Sequence, residues 1–398
     1  LFLVTWSYSL KGSWLIDDEE GIRPYSDSWQ IEKDQATGQI VREYKKDYYD
    51  FEITKKDGKK ETVKWPHLKF NPHIGYPGSV VRWLRIHIGK KFTVIGTNQR
   101  GQEIYGFQQD PFRHHLFSLI VHFTNCILLY FLLSHFFGSN LAFWTVLLFV
   151  THPVSAQVVA WISGIGYLLS LFFALLSFLI PIWIPSLWIN IPLATLATFF
   201  SMNCLLSGMA NWTVHLLLGN CWIALSNFVI ALLGFSTQGR EIHKVRTMNF
   251  KEQCMEEPTK FNWRRPILMT KCIYYYLRMM VFPKRLGLFH PWGYHFEEKL
   301  NRLDWMFWKG VLVLLGAGLL FWYSDLSIRL GLIWLFTYLL LFLNLITAQQ
   351  FVVDRYCFIS LVGFCLLLAS ALIKWPILLA LILGIYLMRT WIYLPTFR

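Results

Sequence analysis

Leu15-Ile16-Asp17-Asp18-Glu19-Glu20 runs from a hydrophobic stretch straight into four consecutive acids. Carboxylates at the mouth of a membrane span are costly unless something uses them. Asp17, with Asp18 beside it, could act as general base on an incoming hydroxyl; a solvated turn that ends a span is the plainer reading. His152-Pro153 places an imidazole at a helix end, where it could bind phosphate or orient a carboxylate, and the proline turns the chain. An interfacial histidine with its bonds satisfied would look the same. Asp354-Arg355-Tyr356 places an arginine at the mouth of an apolar run, where a guanidinium needs an anionic partner. A lipid-linked phosphate would fit, because its tail lies in the bilayer and its phosphate at that depth; an Asp–Arg pair between helices is the alternative. Lys271 and Arg278 lie seven positions apart and share a helix face. They could add positive charge to a phosphate site or snorkel to the headgroups.

The elements that must position these groups are membrane spans. The chain is 55% hydrophobic, 18% aromatic and only 15% charged, where a soluble domain carries about 25% charged residues. Its apolar residues come in blocks of about 20, the length of a bilayer-spanning helix. A soluble core would have to bury runs such as Val311–Tyr323 and Leu330–Ile346 on every face. The net charge of +13 sits largely in segments 33–100 and 240–285. In a membrane protein such basic flanks face headgroups or follow the positive-inside bias, so nucleic acid is not an expected partner. The cysteines, Cys126, Cys204, Cys221, Cys254, Cys272, Cys357 and Cys365, form no CxxC pair and read as small core residues, with no metal site and no disulfide framework.

The sequence divides into three parts. Residues 1–20 hold the exit end of a first span, Leu1–Tyr8, and the start of the acidic loop; no basic leader or small-residue cleavage site marks a signal peptide. Residues 21–110 are polar. Alternating stretches in Ile40–Trp65 flank Lys56-Asp57-Gly58-Lys59, a hairpin signal, and Phe92–Tyr105 gives a second hairpin turning near Asn98–Gly101. Ser79–Ile88 suits a helix lying in the membrane interface. Residues 111–398 hold the remaining spans: His115–Phe137, a third beginning at Leu141–Val150, Val158–Leu179, Ser186–Leu206, Thr213–Leu233, Pro266–Phe282, Asp304–Tyr323, Leu326–Thr347, Cys357–Ile373 and Trp375–Ile392. The expected fold is an all-α polytopic membrane protein of about 11 transmembrane helices with a small β-rich extracytosolic insert. Counting spans puts Asp17, His152, Arg355 and the C-terminus on one side, and the basic segment Gln238–Arg265 on the other, as suits a cytosolic face. The Asn211-Trp212-Thr213 sequon abuts a span and carries no expectation of glycosylation.

In order, these motifs resemble a known family. His115-Leu116, His122, Leu128-Leu129-Tyr130, Phe137-Gly138-Ser139, His152-Pro153-Val154 and Val159-Ala160-Trp161-Ile162-Ser163-Gly164 are similar to the membrane region of the transmembrane and tetratricopeptide-repeat-containing O-mannosyltransferases and their bacterial relatives. Tyr276-Leu277-Arg278 with Phe282-Pro283, Asp354-Arg355-Tyr356 with Val362-Gly363-Phe364, and Arg389-Thr390-Trp391 resemble later segments of that region. The resemblance implies a GT-C glycosyltransferase that uses a polyprenyl- or dolichyl-phosphate sugar, such as a mannose donor, on the extracytosolic or lumenal side. It gives Asp17, with Asp18 beside it, the role of base or acceptor-orienting carboxylate, and Arg355 the donor phosphate. Tyr356, Arg278 and Lys271 would join that phosphate site, and His152, Asp354 and Trp161 would support it. The implied partners are membrane lipids, the lipid-phosphate sugar, an acceptor protein or glycan, and other membrane subunits. No metal or other cofactor is implied, and the membrane is a bacterial inner membrane or the endoplasmic reticulum. The sequence departs from the family at Ser207-Gly208-Met209, where Lys and Glu are usual, and shows no repeat of about 34 residues. A catalytically inactive GT-C-like scaffold, binding protein partners through the insert, is therefore a second reading. A transporter is a third, without the paired Gly/Pro-broken spans that fold class uses.

Overall fold

The computed structural model describes residues 1–11, 29–33, 40–45, 48–54, 60–66, 84, 87–97, 103–200, 204–234, 265–284, 286, 303–340, 342–343 and 352–397. Asp17 and Asp18 lie outside the described residues, as do most of the expected interfacial helix and the basic segment 238–264. After a short helix α1, Phe2–Trp6, come six strands: β1 Trp29–Lys33, β2 Ile40–Lys45, β3 Tyr48–Thr54, β4 Lys60–Pro66, β5 Lys90–Thr97 and β6 Glu103–Gln109. Both expected hairpins form: β3 pairs antiparallel with β4, Thr54 opposite Lys60, and β5 with β6, Thr97 opposite Glu103. β1 joins β6 to β2, giving a four-stranded sheet in the order β2-β1-β6-β5. A single residue, Asp110, separates this sheet from the first long helix. Its amide donates to the Gly89 carbonyl at 2.9 Å, and its carboxylate accepts the Phe112 amide at 3.0 Å as an N-cap.

The rest is helical: α2 Pro111–Phe137, α3 Ser139–Thr151, α4 Ala156–Ala160, α5 Ile165–Trp183, α6 Leu187–Phe200, α7 Cys204–Leu217, α8 Cys221–Gly234, α9 Arg265–Val281, α10 Trp305–Tyr323, α11 Leu326–Leu340, α12 Phe358–Leu372 and α13 Pro376–Tyr393. Among the described residues, five helices are long and apolar enough to cross a membrane, or six if the pair Ser139–Thr151 and Pro153–Ala160, bent by 54°, counts as one span. The molecule is a mainly helical membrane protein.

Three sequence expectations change. Val158–Leu179 is not one helix: Trp161 is extended (φ −99°, ψ 125°) and a 3-10 turn, Ile162–Gly164, separates α4 from α5. Ser186–Leu206 and Thr213–Leu233 resolve into α6, α7 and α8 rather than two spans. The reason is Gly219, at φ +77°, where the Asn220 amide donates to the His215 carbonyl and the Gly219 amide to that of Leu216. This bonding pattern ends a helix and reverses the chain. Finally α9 is only 17 residues long and carries Lys271 and Arg278; it is not among the helices long and apolar enough to span. Buried polar side chains cross-link the α5–α8 unit: Asn211 Nδ2 donates to the Ser177 and Thr198 hydroxyls, and Thr198 donates to Asn227 Oδ1 at 2.6 Å. These levels make α7 run away from the His152 end and α8 run back toward it.

α11 crosses α12 closely at Gly331 and Gly363. A Cβ on Gly363 would lie 2.5 Å from the Gly331 oxygen and from the Leu335 nitrogen, both backbone atoms. Gly363→Ala should destabilise the protein by roughly 1–3 kcal/mol. Gly384→Ala, at a position with open space around it, should be neutral or gain up to about 1 kcal/mol. Thermal unfolding of the two variants in detergent tests the pair.

Candidate functional site

One end of the bundle collects the termini that matter. The C-terminal ends of α3, α9 and α13 meet the N-terminal ends of α5 and α12 there. His152 is fully buried between α3 and α4. Its Nδ1 accepts the Val154 amide at 3.2 Å, so Nε2 is the protonated nitrogen, and it donates to the Met280 carbonyl at 2.8 Å. The Tyr386 hydroxyl donates to the same carbonyl at 3.1 Å and its ring lies 4.4 Å from the imidazole. Both imidazole nitrogens are thus spent on backbone. His152 is a structural joint between α3, α9 and α13, the plainer of its two sequence readings.

Asp354, Arg355 and Tyr356 lie in a 3-10 turn, Asp354–Cys357, that leads into α12. Asp354 is fully buried and accepts the Tyr393 hydroxyl at 2.9 Å. The Arg355 amide donates to Gln157 Oε1 at 2.8 Å. Its guanidinium carbon sits 5.0 Å from the centroid of Trp161 and 5.3 Å from that of Tyr356, within cation–π range. Tyr356 in turn stacks on Phe342 at 4.4 Å and 17°. Arg355 Nη1 is buried and has no hydrogen-bond partner among the described residues. The sequence placed Arg355, Tyr356, Asp354 and Trp161 in one site, and the structure brings all four together.

Lys271 and Arg278 do not join them through any described contact. Lys271, only 2% exposed, donates to Asp304 Oδ2 at 2.9 Å. Asp304 also caps α10, taking the Met306 and Phe307 amides at 3.1 Å each. Burial raises the Asp304 carboxyl, but the Lys271 hydrogen bond and the two amides outweigh it and hold the group below the ordinary carboxylate range. Arg278 is exposed, four residues from the end of α9. One buried lysine charge is therefore already neutralised, whereas Arg355 has no ion pair among the described residues.

Gln157, Tyr393, Tyr386 and the Met280 carbonyl escaped the sequence reading. Only Gln157 left a trace: it precedes Trp161 by four positions, which on a helix sets both toward one neighbour. The others reach their partners across 39 to 128 residues, Met280 with a backbone atom. The first helix also docks here. His122 on α2 is boxed by the rings of Phe2, Trp6, Phe149 and Phe358 at 5.4–6.0 Å. The 3-10 turn Ser7–Lys11 that follows α1 packs against α4 and the C-terminal turn Leu394–Phe397. Among the described residues no group of His, Cys, Asp and Glu could hold a metal ion. Comparison with family models, with curated proteins and with solved structures finds no match for this chain.

Tyr386→Phe should cost about 1 kcal/mol, and His152→Leu, which strands the buried Val154 amide, about 2–3 kcal/mol; denaturation in detergent measures both. Asp304 stabilises the fold above its ordinary value near pH 3.9, and that contribution is lost as pH falls through the lowered folded value. Asp304→Asn should cost about 1 kcal/mol at pH 7, a figure reduced for its partial exposure. The difference from the native protein should close below about pH 4 in a thermal-unfolding series.

Proposed function

We propose that the chain is a GT-C-type membrane glycosyltransferase with about 11 spans, moving a sugar from a polyprenyl- or dolichyl-phosphate donor to a protein or glycan hydroxyl on the extracytosolic side. The observation that carries the reading is Arg355, a guanidinium at the end of a membrane bundle with a buried Nη1 and no hydrogen-bond partner for it among the described residues. An arginine held on an aromatic face and free at its tip suits a phosphate oxygen. The ordered resemblance to the O-mannosyltransferases supports the same reading, with mannose the sugar it favours.

In the reaction, the acceptor oxygen attacks the anomeric carbon and the bond from that carbon to the phosphate oxygen breaks. The acceptor proton passes to Asp17, with Asp18 beside it, and the departing lipid phosphate takes the bonding electrons, its charge stabilised by Arg355. Asp17 lies outside the described residues, but it follows Lys11 by only six positions, a reach of at most about 21 Å, and the Ser7–Lys11 turn packs against α4. Nearer the middle of the bundle is a shallow cleft lined by apolar residues including Phe178, Val214, Trp334, Val362 and Leu366. Val362 and Leu366 lie about 10 and 16 Å along α12 from Arg355, a depth that suits an isoprenoid tail. No cofactor enters this scheme.

One observation favours the scaffold reading. Gly208 is buried where α7 crosses α8, and a Cβ there would sit 3.0 Å from Ala231 and from the Asn227 carbonyl. The position at which the resembled family carries charge is closed by helix packing here. The scaffold would bind protein partners through the β-rich insert.

Purified protein incubated with labelled polyprenyl-phosphate mannose and an acceptor peptide should release lipid phosphate and label the peptide. Asp17→Asn should abolish transfer, and Arg355→Gln should weaken donor binding by about 100-fold, roughly 2.7 kcal/mol, with both variants still folded. Full activity in Asp17→Asn removes it from the mechanism, and absence of donor binding in the native protein leaves the scaffold.

A further inference from the structure

Two of the described contacts that hold Arg355 come from one short helix and the residue that ends it. Gln157 and Trp161 stand four positions apart at α4 and its end. The first accepts the Arg355 amide at 2.8 Å, and the second carries the guanidinium on its ring at 5.0 Å. Gln157 is fully buried. A carboxamide meets the need for a buried acceptor without bringing a charge into a low-dielectric setting. A carboxylate of nearly the same shape would accept the same amide hydrogen, but it would bring a full negative charge to the turn that carries the guanidinium, where a low-dielectric setting makes their attraction strong. Part of the Arg355 charge would then be offset before a phosphate arrived.

We propose that Gln157 is the positioning residue of the anion site. It pins the Asp354–Cys357 turn to α4 through a neutral acceptor, so the Arg355 charge stays available to a phosphate. The inference rests on the reading of Arg355 as an anion-binding group, and not on sugar transfer. It also separates the two anchors of the turn. Tyr393 holds Asp354 from α13, which fixes the turn's position in the bundle. Gln157 fixes the register of the next residue against Trp161.

The test uses the full chain in detergent with two readouts. The first is binding of radiolabelled polyprenyl phosphate, without sugar. The second needs no lipid: the rate at which phenylglyoxal modifies Arg355, read by peptide mass spectrometry. Gln157→Glu keeps the acceptor and adds charge. It should weaken phosphate binding at least about tenfold and slow Arg355 modification several-fold, with a melting temperature close to native. Gln157→Leu removes the acceptor without adding charge. It should lower the melting temperature and weaken binding, but it should not slow Arg355 modification. A purely structural glutamine predicts the opposite order, with Glu tolerated and Leu damaging. Native-like binding and native-like Arg355 modification in Gln157→Glu overturn the proposal. So does an equal slowing of modification in both variants. If the native protein binds the lipid phosphate yet transfers no sugar, the glycosyltransferase reading fails and the role of Gln157 stands. If the native protein binds no lipid phosphate, both fall.

Discussion

A helix that breaks inside a membrane bundle frees backbone groups where no water can reach them, and each must find a partner from elsewhere in the chain. The break between Thr151 and Ile165 is the point on which this structure depends. The Thr151 carbonyl accepts the Thr390 hydroxyl at 2.7 Å. The Val154 amide is taken by His152, whose other nitrogen reaches the Met280 carbonyl. These bonds draw α9 and α13 to the break, and α12 follows because its leading turn is bonded to Gln157 and Tyr393. The convergence of helix ends is thus a consequence of satisfying one interrupted span. The candidate site is what that convergence encloses.

Charge follows from the same economy. Buried cations persist in such a bundle when paired or well stacked. Lys271 is paired, to a carboxylate that also caps α10, so its charge contributes to holding α9 against α10. Arg355 is stacked on two rings, with no ion pair among the described residues. Two cations that looked equivalent as members of one phosphate site are separated by their partners: one is bound to a carboxylate that caps a helix, and the other lies against aromatic faces.

How much was legible in the sequence differs by scale. The membrane class followed from the apolar blocks, and both hairpins from alternation around Asp57-Gly58 and Asn98–Gly101, because these signals are local. Helix ends were harder. Gly219 reverses the chain within a run that is apolar on both sides, and hydropathy cannot see a backbone dihedral. The break at Trp161 was equally hidden, since Trp161-Ile162-Ser163-Gly164 is as apolar as a span. At the site, the Asp-Arg-Tyr turn was readable because charge in an apolar context is conspicuous. The role of His152 was not, because its partners are a backbone carbonyl 128 residues away and its own near neighbour. Lys271 was misplaced for a related reason: helix periodicity groups it with Arg278, but a buried lysine is governed by its nearest carboxylate, on another helix.

The docking of the N-terminus bears on what the open guanidinium is for. An anion site alone would need only α4, the Asp354–Cys357 turn and the rings that carry Arg355. This bundle also fastens α1 at the same end. Phe2 and Trp6 close a box around His122 together with Phe358, which follows the Arg355 turn directly. A segment that carries four acids a few residues later is thereby tethered to the helix that carries the arginine. The Gly208 packing closes a position on a different part of the bundle, in the α7–α8 crossing. That packing leaves the Arg355 arrangement intact. The two features can therefore vary independently, which is why anion binding at Arg355, rather than the residue at Gly208, is the quantity that tests the proposed transferase against the scaffold reading.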